Sequence, residues 1–178
     1  EINKINNIKY NSILNFTKVN DIRFINKFFE SVNTSLPKYG LFMGVVQTYP
    51  NRRSVILSRY PLILNWIIYI LDYVYNRILP RIRFTKKLYF FITKGKGRVL
   101  SKAETYGRLY YSGFEILNEI TLKNKLYFVA RKIKKPNNGS PPSYGAILKL
   151  KRVGYGGKLF NVFKLRTMHP FSEYLQEY

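Results

Sequence analysis

The sequence predicts an α/β fold of alternating helices and strands, followed by a basic β-hairpin. Three observations carry this prediction. Residues 21–36 repeat apolar side chains at spacings of three and four, and residues 41–48 form a short apolar run. Residues 144–168 hold two strand-like runs on either side of a glycine-rich turn. The chain therefore combines a helix-and-sheet region with a separate C-terminal hairpin.

The first elements are predicted from the spacing of apolar residues. Residues 1–20 are expected to be irregular, or to form a frayed strand and loop. Residues 21–36 predict an amphipathic helix, with Asp21 at its N-cap or in its first turn and Pro37 ending it. Residues 41–48 suit a buried parallel strand.

The most apolar stretch lies between Pro61 and Pro80 and predicts a long helix. Its polar residues Asn65, Asp72 and Asn76 are seven and four apart, so they share one helix face. One interpretation is a helix lying in a membrane surface, with its aromatic residues in the interface. The other, which we take as the default, is a partly buried helix whose polar stripe faces water. A bilayer span is not expected, because the run is short and carries a charge.

The next segment is a basic connector at residues 81–98. Its apolar run at residues 88–92 is too short for periodicity to distinguish a strand from a helix. After the connector, Ser101-Lys-Ala-Glu104 is a capping box and opens a helix that ends near Gly113.

Residues 114–118 and 126–132 are then expected to be strands. Together with the capping-box helix before them, they are similar to the last helix and closing hairpin of the class I methyltransferase fold. The resemblance covers residues 20–133 and implies a partial Rossmann-like sheet with helices. The glycine-rich turn for the adenosyl cofactor belongs upstream of this region, so the resemblance concerns the fold alone.

Composition divides the chain into three parts. Residues 134–143 are rich in proline, asparagine and glycine, which indicates a linker. Residues 1–133 are expected to form the partial α/β domain, and residues 144–178 the hairpin region.

Charge and composition limit the classes of function. The 178 residues include 31 Lys/Arg and nine Asp/Glu, a formal net charge of +22 that is spread along the whole chain. An excess of this size points to polyanionic partners such as nucleic acid, anionic lipid or phosphorylated substrates. There is no cysteine and one histidine, so thiolate metal sites are excluded and a compact protein-ligated metal site is not expected.

The predicted hairpin carries the clearest candidate chemistry. Side chains alternate along a strand, so Lys149 and Lys151 share one face of the first strand, and Lys164 and Arg166 share one face of the second. Between residues 120 and 172 there are 12 Lys/Arg and no Asp/Glu. Such a region can bind phosphate groups. The alternative is a solvated basic hairpin, which is the more common role of a charge run.

Three short motifs in this hairpin carry a family resemblance. Lys151-Arg-Val-Gly154, then Gly157-Lys-Leu-Phe160, then Lys164-Leu-Arg-Thr-Met168 resemble the opening of the bacterial sugar transferase family, the polyprenyl-phosphate hexose-1-phosphate transferases. The resemblance implies transfer of a sugar 1-phosphate from a nucleotide-sugar to polyprenyl phosphate. It also implies a carboxylate nucleophile from an Asp-Glu pair and a Mg²⁺ ion in the full-length enzyme.

The family's catalytic pair lies further downstream, so the resemblance implies a truncated, inactive fragment with no catalytic residue or metal ligand assignable in this chain. It makes four cations the candidates for binding phosphate or a lipid headgroup: Lys151, Arg152, Lys164 and Arg166. Two glycines, Gly154 and Gly157, are expected to shape the turn. The expected location is the cytoplasmic face of the bacterial inner membrane, or the cytoplasm.

Two alternative functions remain. The charge and the 17% aromatic content favour a basic RNA-binding protein of ribosomal type, although nucleic acid is the less favoured partner. A methyltransferase-like interaction domain without catalysis is the other. An anionic membrane surface remains a further candidate partner in the sugar transferase interpretation. His169 has no acidic neighbour in sequence and is expected to be a turn or surface residue.

Overall fold

The computed structural model describes residues 10–137 and 147–175. This part of the chain contains five α-helices and six strands. In chain order they are β1 (Ser12–Lys18), α1 (Ile25–Ser35), β2 (Leu41–Val46), α2 (Tyr49–Arg59), α3 (Leu62–Tyr73), α4 (Arg83–Thr93), α5 (Lys102–Tyr111), β3 (Phe114–Leu122), β4 (Lys125–Lys132), β5 (Ile147–Val153) and β6 (Leu159–Leu165). A π-helical turn (Val74–Ile78) and a 3-10 turn (Leu79–Arg81) continue α3.

Four strands form one mixed sheet in the order β1-β2-β4-β3. Strand β1 runs parallel to β2, and β4 is antiparallel to both of its neighbours. The mixed α/β class that the sequence predicts is therefore confirmed. The parallel pairing of residues 41–46 is also confirmed, as are the two strands after the capping-box helix.

The core lies between this sheet, α1 and α5, and its largest members are phenylalanines. The ring of Phe42 on β2 packs against Phe29 of α1, Phe114 of β3 and Phe128 of β4, with ring centroids 5.7 to 5.9 Å apart. All four side chains are buried. Gly44 makes this packing possible, because a Cβ at that position would lie 2.5 Å from the Phe128 ring.

Helix α1 begins four residues later than the sequence predicts. Asp21 is neither its N-cap nor in its first turn. The Asp21 carboxylate instead accepts a hydrogen bond of 2.8 Å from the backbone N–H of Gly97. The N-cap position is Phe24, which provides no capping side chain. The predicted end before Pro37 is confirmed, since the helix stops at Ser35.

Helices α2, α4 and α5 can be compared with what the sequence predicts for residues 49–111. Helix α2 was not predicted, and it begins with Pro50 in its first turn, where the missing N–H costs nothing. The apolar run at residues 88–92 is helical and belongs to α4. Helix α5 begins as predicted, with the Ser101 hydroxyl accepting a 3.0 Å hydrogen bond from the Glu104 N–H.

The predicted C-terminal hairpin forms from β5 and β6, which pair with each other and with no other strand described. The segment after it, residues 169–175 (here the C-terminal segment), returns to α5. Phe171 is fully buried there, and its ring packs against Tyr111 at 5.5 Å. Most of the predicted linker and Tyr144, where the hairpin was expected to begin, lie outside the described residues, and the three-part division of the chain stays a prediction.

Candidate functional site

The polar stripe of α3 faces the protein. Asn65 and Asn76 are buried, and Asp72 is mostly buried. The guanidinium of Arg52 on α2 donates to both carboxylate oxygens of Asp72, at 2.7 and 2.5 Å. The Asn76 amide donates to Asp72 at 2.9 Å and its oxygen accepts from the hydroxyl of Tyr89 at 3.1 Å. The expectation that this stripe faces water is wrong, because its partners are supplied by α2 and α4.

The opposite side of α3 is apolar and exposed, and we call it the apolar face. Ile63 exposes 83% of its surface, Ile67 51% and Ile70 56%. The residues that make up the face are Leu62, Ile63, Ile67, Ile70, Leu71 and Val74. Over Leu62–Arg81 the helix is 20 residues long, and by length and composition it is the one helix in the described part of the chain that could cross a membrane. A soluble core helix buries such residues, whereas this helix presents them outward.

Helix α4 presents a second exposed apolar stripe. Its members are spaced at three and four residues along one side of the helix: Phe84, Leu88, Phe91 and Ile92. The side that carries Tyr89 packs inward, with the Tyr89 and Tyr75 rings 5.4 Å apart. Two neighbouring helices of the same chain thus leave rows of large apolar side chains in contact with solvent.

A cavity of about 1060 Å³ opens between the start of α1, the turns after α3, and helices α4 and α5. We call it the basic cavity, because nine of its lining residues are Lys or Arg and one is an acid. The cations are Arg23, Lys27, Arg77, Arg81, Lys86, Lys87, Lys94, Arg98 and Arg108, and the acid is Glu104. Its size matches the upper range of small-molecule sites.

Three guanidinium groups meet at the single carboxylate of this wall. Glu104 lies 3.0 Å from Arg77, 2.7 Å from Arg81 and 2.9 Å from Arg108. All but Arg81 are buried. Burial alone would raise the pKa of Glu104, but Arg108, Arg81 and Arg77 together lower it below its ordinary value. Glu104 is therefore ionised at neutral pH and holds the three arginines at the cavity wall.

The excess positive charge also affects the arginine at the rim. Burial and the neighbouring Arg77 lower the pKa of Arg81, although Glu104 acts in the opposite direction. His169 lies beside the same cluster, with its Nδ1 3.1 Å from the Arg77 guanidinium. Burial and Arg77 lower the pKa of His169, so the imidazole is neutral and accepts this hydrogen bond.

The hairpin places the sequence-predicted cations on two faces. Cross-strand pairs are Lys151 with Asn161, Arg152 with Phe160, and Lys164 with Leu148. Arg152 and Lys164 consequently share one face, while Lys151 lies on the other. Arg152 and Lys164 are four residue pairs apart, about 14 Å along the strands. The strand register therefore does not bring these candidates together around a single phosphate. Arg166 follows the end of β6.

Three glycines shape the turn between β5 and β6, two through their backbone conformation and one through its small size. Gly156 has φ +68° and Gly157 has φ +77°, both in the region that favours glycine. Gly154 is extended, and a Cβ there would lie 3.1 Å from the Phe160 ring. Hairpin apolar residues such as Phe163 and Leu165 are exposed on this two-stranded sheet.

Sequence reasoning missed the basic cavity, although two local signals exist. Arg77 and Arg81 are four apart, as are Glu104 and Arg108, and each spacing places two charged groups on one helical side. Within the described residues, no group of three or more His, Cys, Asp or Glu could hold a metal ion. Comparison of the chain with models of known protein families and with curated protein sequences gives no match.

Proposed function

We propose that this chain is part of a glycosyl-1-phosphate transferase that works at an anionic membrane surface, and that the residues described here hold the enzyme on that surface. The apolar face of α3 carries the membrane-attachment part of the proposal. A helix that satisfies its polar side inside the protein and exposes its apolar side has the character of an interfacial helix.

The positive net charge of the chain favours a membrane that contains anionic lipids. A net charge of +22 attracts anionic lipid headgroups, and each Lys or Arg near such a surface contributes about 1 kcal/mol. The apolar residues of α3 and α4 then enter the boundary between headgroups and acyl chains. The inward stripe of Asn65, Asp72 and Asn76 favours this orientation in the plane over a span, because a span would place Asp72 deep in hydrocarbon.

The transferase identity rests on the hairpin motifs. The segments that resemble the family occupy the ends of two paired strands and their turn, which supports reading them as one unit. In this proposal the nucleotide-sugar, polyprenyl phosphate and Mg²⁺ are bound by the full-length enzyme, and the present 178 residues alone do not turn over. A nucleotide-release assay with nucleotide diphosphate sugars checks the last statement, and turnover by these residues would contradict it.

The upstream sheet supports a further part of the proposal, a partial methyltransferase-like fold. Two parallel strands followed by an antiparallel hairpin, whose last strand inserts next to β2, give the order β1-β2-β4-β3. This order agrees with the C-terminal half of that fold. It concerns architecture, and no methyl transfer is proposed.

The experiment is binding of the full chain to vesicles of phosphatidylcholine with and without phosphatidylglycerol. Trp66, the single tryptophan, lies on α3 and is 45% exposed, so its emission reports insertion of this helix. We expect binding and a blue shift with the anionic vesicles. The variant I67N/I70N loses about 2 kcal/mol of apolar transfer, roughly a 30-fold weaker binding.

The matched control is I120N/L122N on β3. Ile120 and Leu122 are 55% and 52% exposed, close to the 51% and 56% of Ile67 and Ile70. The control likewise replaces two aliphatic side chains by asparagine at similar exposure without touching the apolar face, and should bind like the wild type. Equal losses in both variants, or no blue shift of Trp66, would contradict the proposal.

A further inference from the structure

We propose that the basic cavity is a binding site for a phosphate-bearing anion with two or more negative charges. The lysines of α4 and the cations at the start of α1 provide its contacts. The site is separate from the apolar face and from the hairpin, and the proposal holds whether or not the chain binds membranes.

The first argument is charge. Nine cations and one carboxylate line the cavity among the described residues. The carboxylate, Glu104, is already shared by three arginines. In the described part of the chain, none of Arg23, Lys27, Lys86, Lys87 and Lys94 forms an ion pair. Like charges gathered around one cavity repel each other, and a multivalent anion removes that repulsion.

The second argument is the burial of the charged wall. Arg77 exposes 5% of its surface and faces the cavity beside Arg81. The Arg77 guanidinium already donates to the Val99 carbonyl oxygen, Glu104 and His169, so it acts on a bound anion through its charge, which is weakly screened because the local dielectric constant is low. Arg23, which forms no ion pair among the described residues, provides planar, paired donors that match the oxygens of phosphate.

The third argument is the orientation of α1. Its first residues, Ile25 and Asn26, line the cavity, and its N-cap residue Phe24 provides no capping side chain. The described first turn contains no acidic residue. The backbone N–H groups and the positive end of the helix dipole therefore add to the field of the cations.

The cavity also has an apolar part. Phe24, Phe90 and Phe91 line it, and Phe91 belongs as well to the exposed stripe of α4. A ligand with a phosphate group and an adjoining apolar portion would satisfy both parts. Two sources share this chemistry: the phosphate headgroup of an anionic lipid, and a soluble phosphate or diphosphate compound.

The test uses inorganic pyrophosphate as the probe for the shared chemistry. We expect calorimetric titration at 0.15 M salt to show saturable 1:1 binding. We also expect pyrophosphate to raise the Tm of the full chain more than sodium chloride of equal ionic strength does. In K86Q/K87Q the affinity should fall about tenfold or more, because two cations that contact the anion are lost. Both lysines are exposed, so the fold is retained, and a thermal melt without ligand checks this.

The matched control is K123Q/K125Q, with Lys123 in the turn after β3 and Lys125 at the start of β4. It removes two lysine charges from exposed positions two residues apart and outside the cavity, and should bind pyrophosphate like the wild type. Equal weakening in both variants would mean diffuse attraction to a basic protein and would overturn the proposal. Absence of saturable binding to the wild type would overturn it as well.

Vesicles containing phosphatidic acid distinguish the two sources. If the headgroup is the ligand, K86Q/K87Q weakens binding to these vesicles more than K123Q/K125Q does, and pyrophosphate competes with them. If a soluble phosphate compound is the ligand, pyrophosphate binds while K86Q/K87Q weakens vesicle binding no more than K123Q/K125Q does. Both results support an anion site in the cavity. The I67N/I70N variant should leave pyrophosphate binding unchanged, which separates this proposal from membrane attachment through α3.

Discussion

Glu104 holds three arginines together at the wall of the basic cavity, and its replacement by glutamine should destabilise the protein strongly. The carboxylate is within 3.0 Å of Arg77, Arg81 and Arg108, and the side chains of Arg77, Glu104 and Arg108 expose only 4 to 6% of their surface. Removing one partner from a buried ion pair costs about 3–5 kcal/mol, because the remaining charge stays buried without compensation. We expect a loss in this range for E104Q.

Urea denaturation at pH 7 measures the effect. With an m-value of about 2 kcal/mol/M, such a loss lowers the midpoint by roughly 2 M. The control is E115Q, which makes the same change in the partly exposed pair of Glu115 and Arg131. Exposed pairs contribute about 1 kcal/mol or less, so its midpoint should move by less than about 0.5 M.

A double variant tests whether the coupling is electrostatic. The variant R77Q/E104Q leaves fewer buried guanidinium groups without a carboxylate than E104Q does, because Arg77 is removed together with Glu104. The double variant should then be more stable than the sum of the single losses implies. Strictly additive losses, or an E104Q midpoint equal to that of E115Q, would refute the claim that Glu104 compensates buried positive charge.

Three further predictions concern other contacts. N20A should lose about 2–3 kcal/mol in thermal denaturation, because the buried Asn20 amide makes three hydrogen bonds of 2.7 to 2.8 Å to backbone groups of two loops. G107A should detach the C-terminal segment, since a Cβ would lie 2.0 Å from the Phe171 carbonyl oxygen; faster proteolysis of that segment checks this. Burial and Arg77 lower the pKa of His169 below 6.5, so its contribution to stability is present above pH 6.5 and is lost as the pH falls below that value. Amide hydrogen exchange of the segment should rise in that range in the wild type but not in H169Q.

The inversion of α3 shows what helical periodicity can and cannot predict. The spacing of Asn65, Asp72 and Asn76 correctly places them on one face. Whether that face meets water depends on its partners, and the main partner is Arg52, which lies on a helix that the sequence did not reveal. Polar residues are expected outside only when no satisfied position inside is available to them.

The start of α1 was misplaced for a related reason. Asp21 is a good N-cap residue by propensity, but the backbone N–H of Gly97, 76 residues away, takes its carboxylate. The sequence identified the basic connector at residues 81–98, which supplies five of the cavity's nine cations, but not the cavity itself, because its walls come from four separate segments of the chain. Local patterns such as the Ser101 cap and the β3–β4 hairpin were predicted correctly, since their partners are near in sequence.

The polar network beneath α3 has a consequence for the surface above it. Arg52, Asp72, Asn76 and Tyr89 satisfy one another inside, which offsets the cost of burying Asp72 and Asn76. The helix therefore turns its polar side away from water. The isoleucines on the other side remain exposed and forgo the gain of about 25 cal/mol per Å² that burial of apolar surface gives. A free-standing domain gains solubility by placing polar residues there. Their absence, next to a cavity lined by cations, supports the proposal that this face meets an anionic and partly apolar surface such as a lipid bilayer.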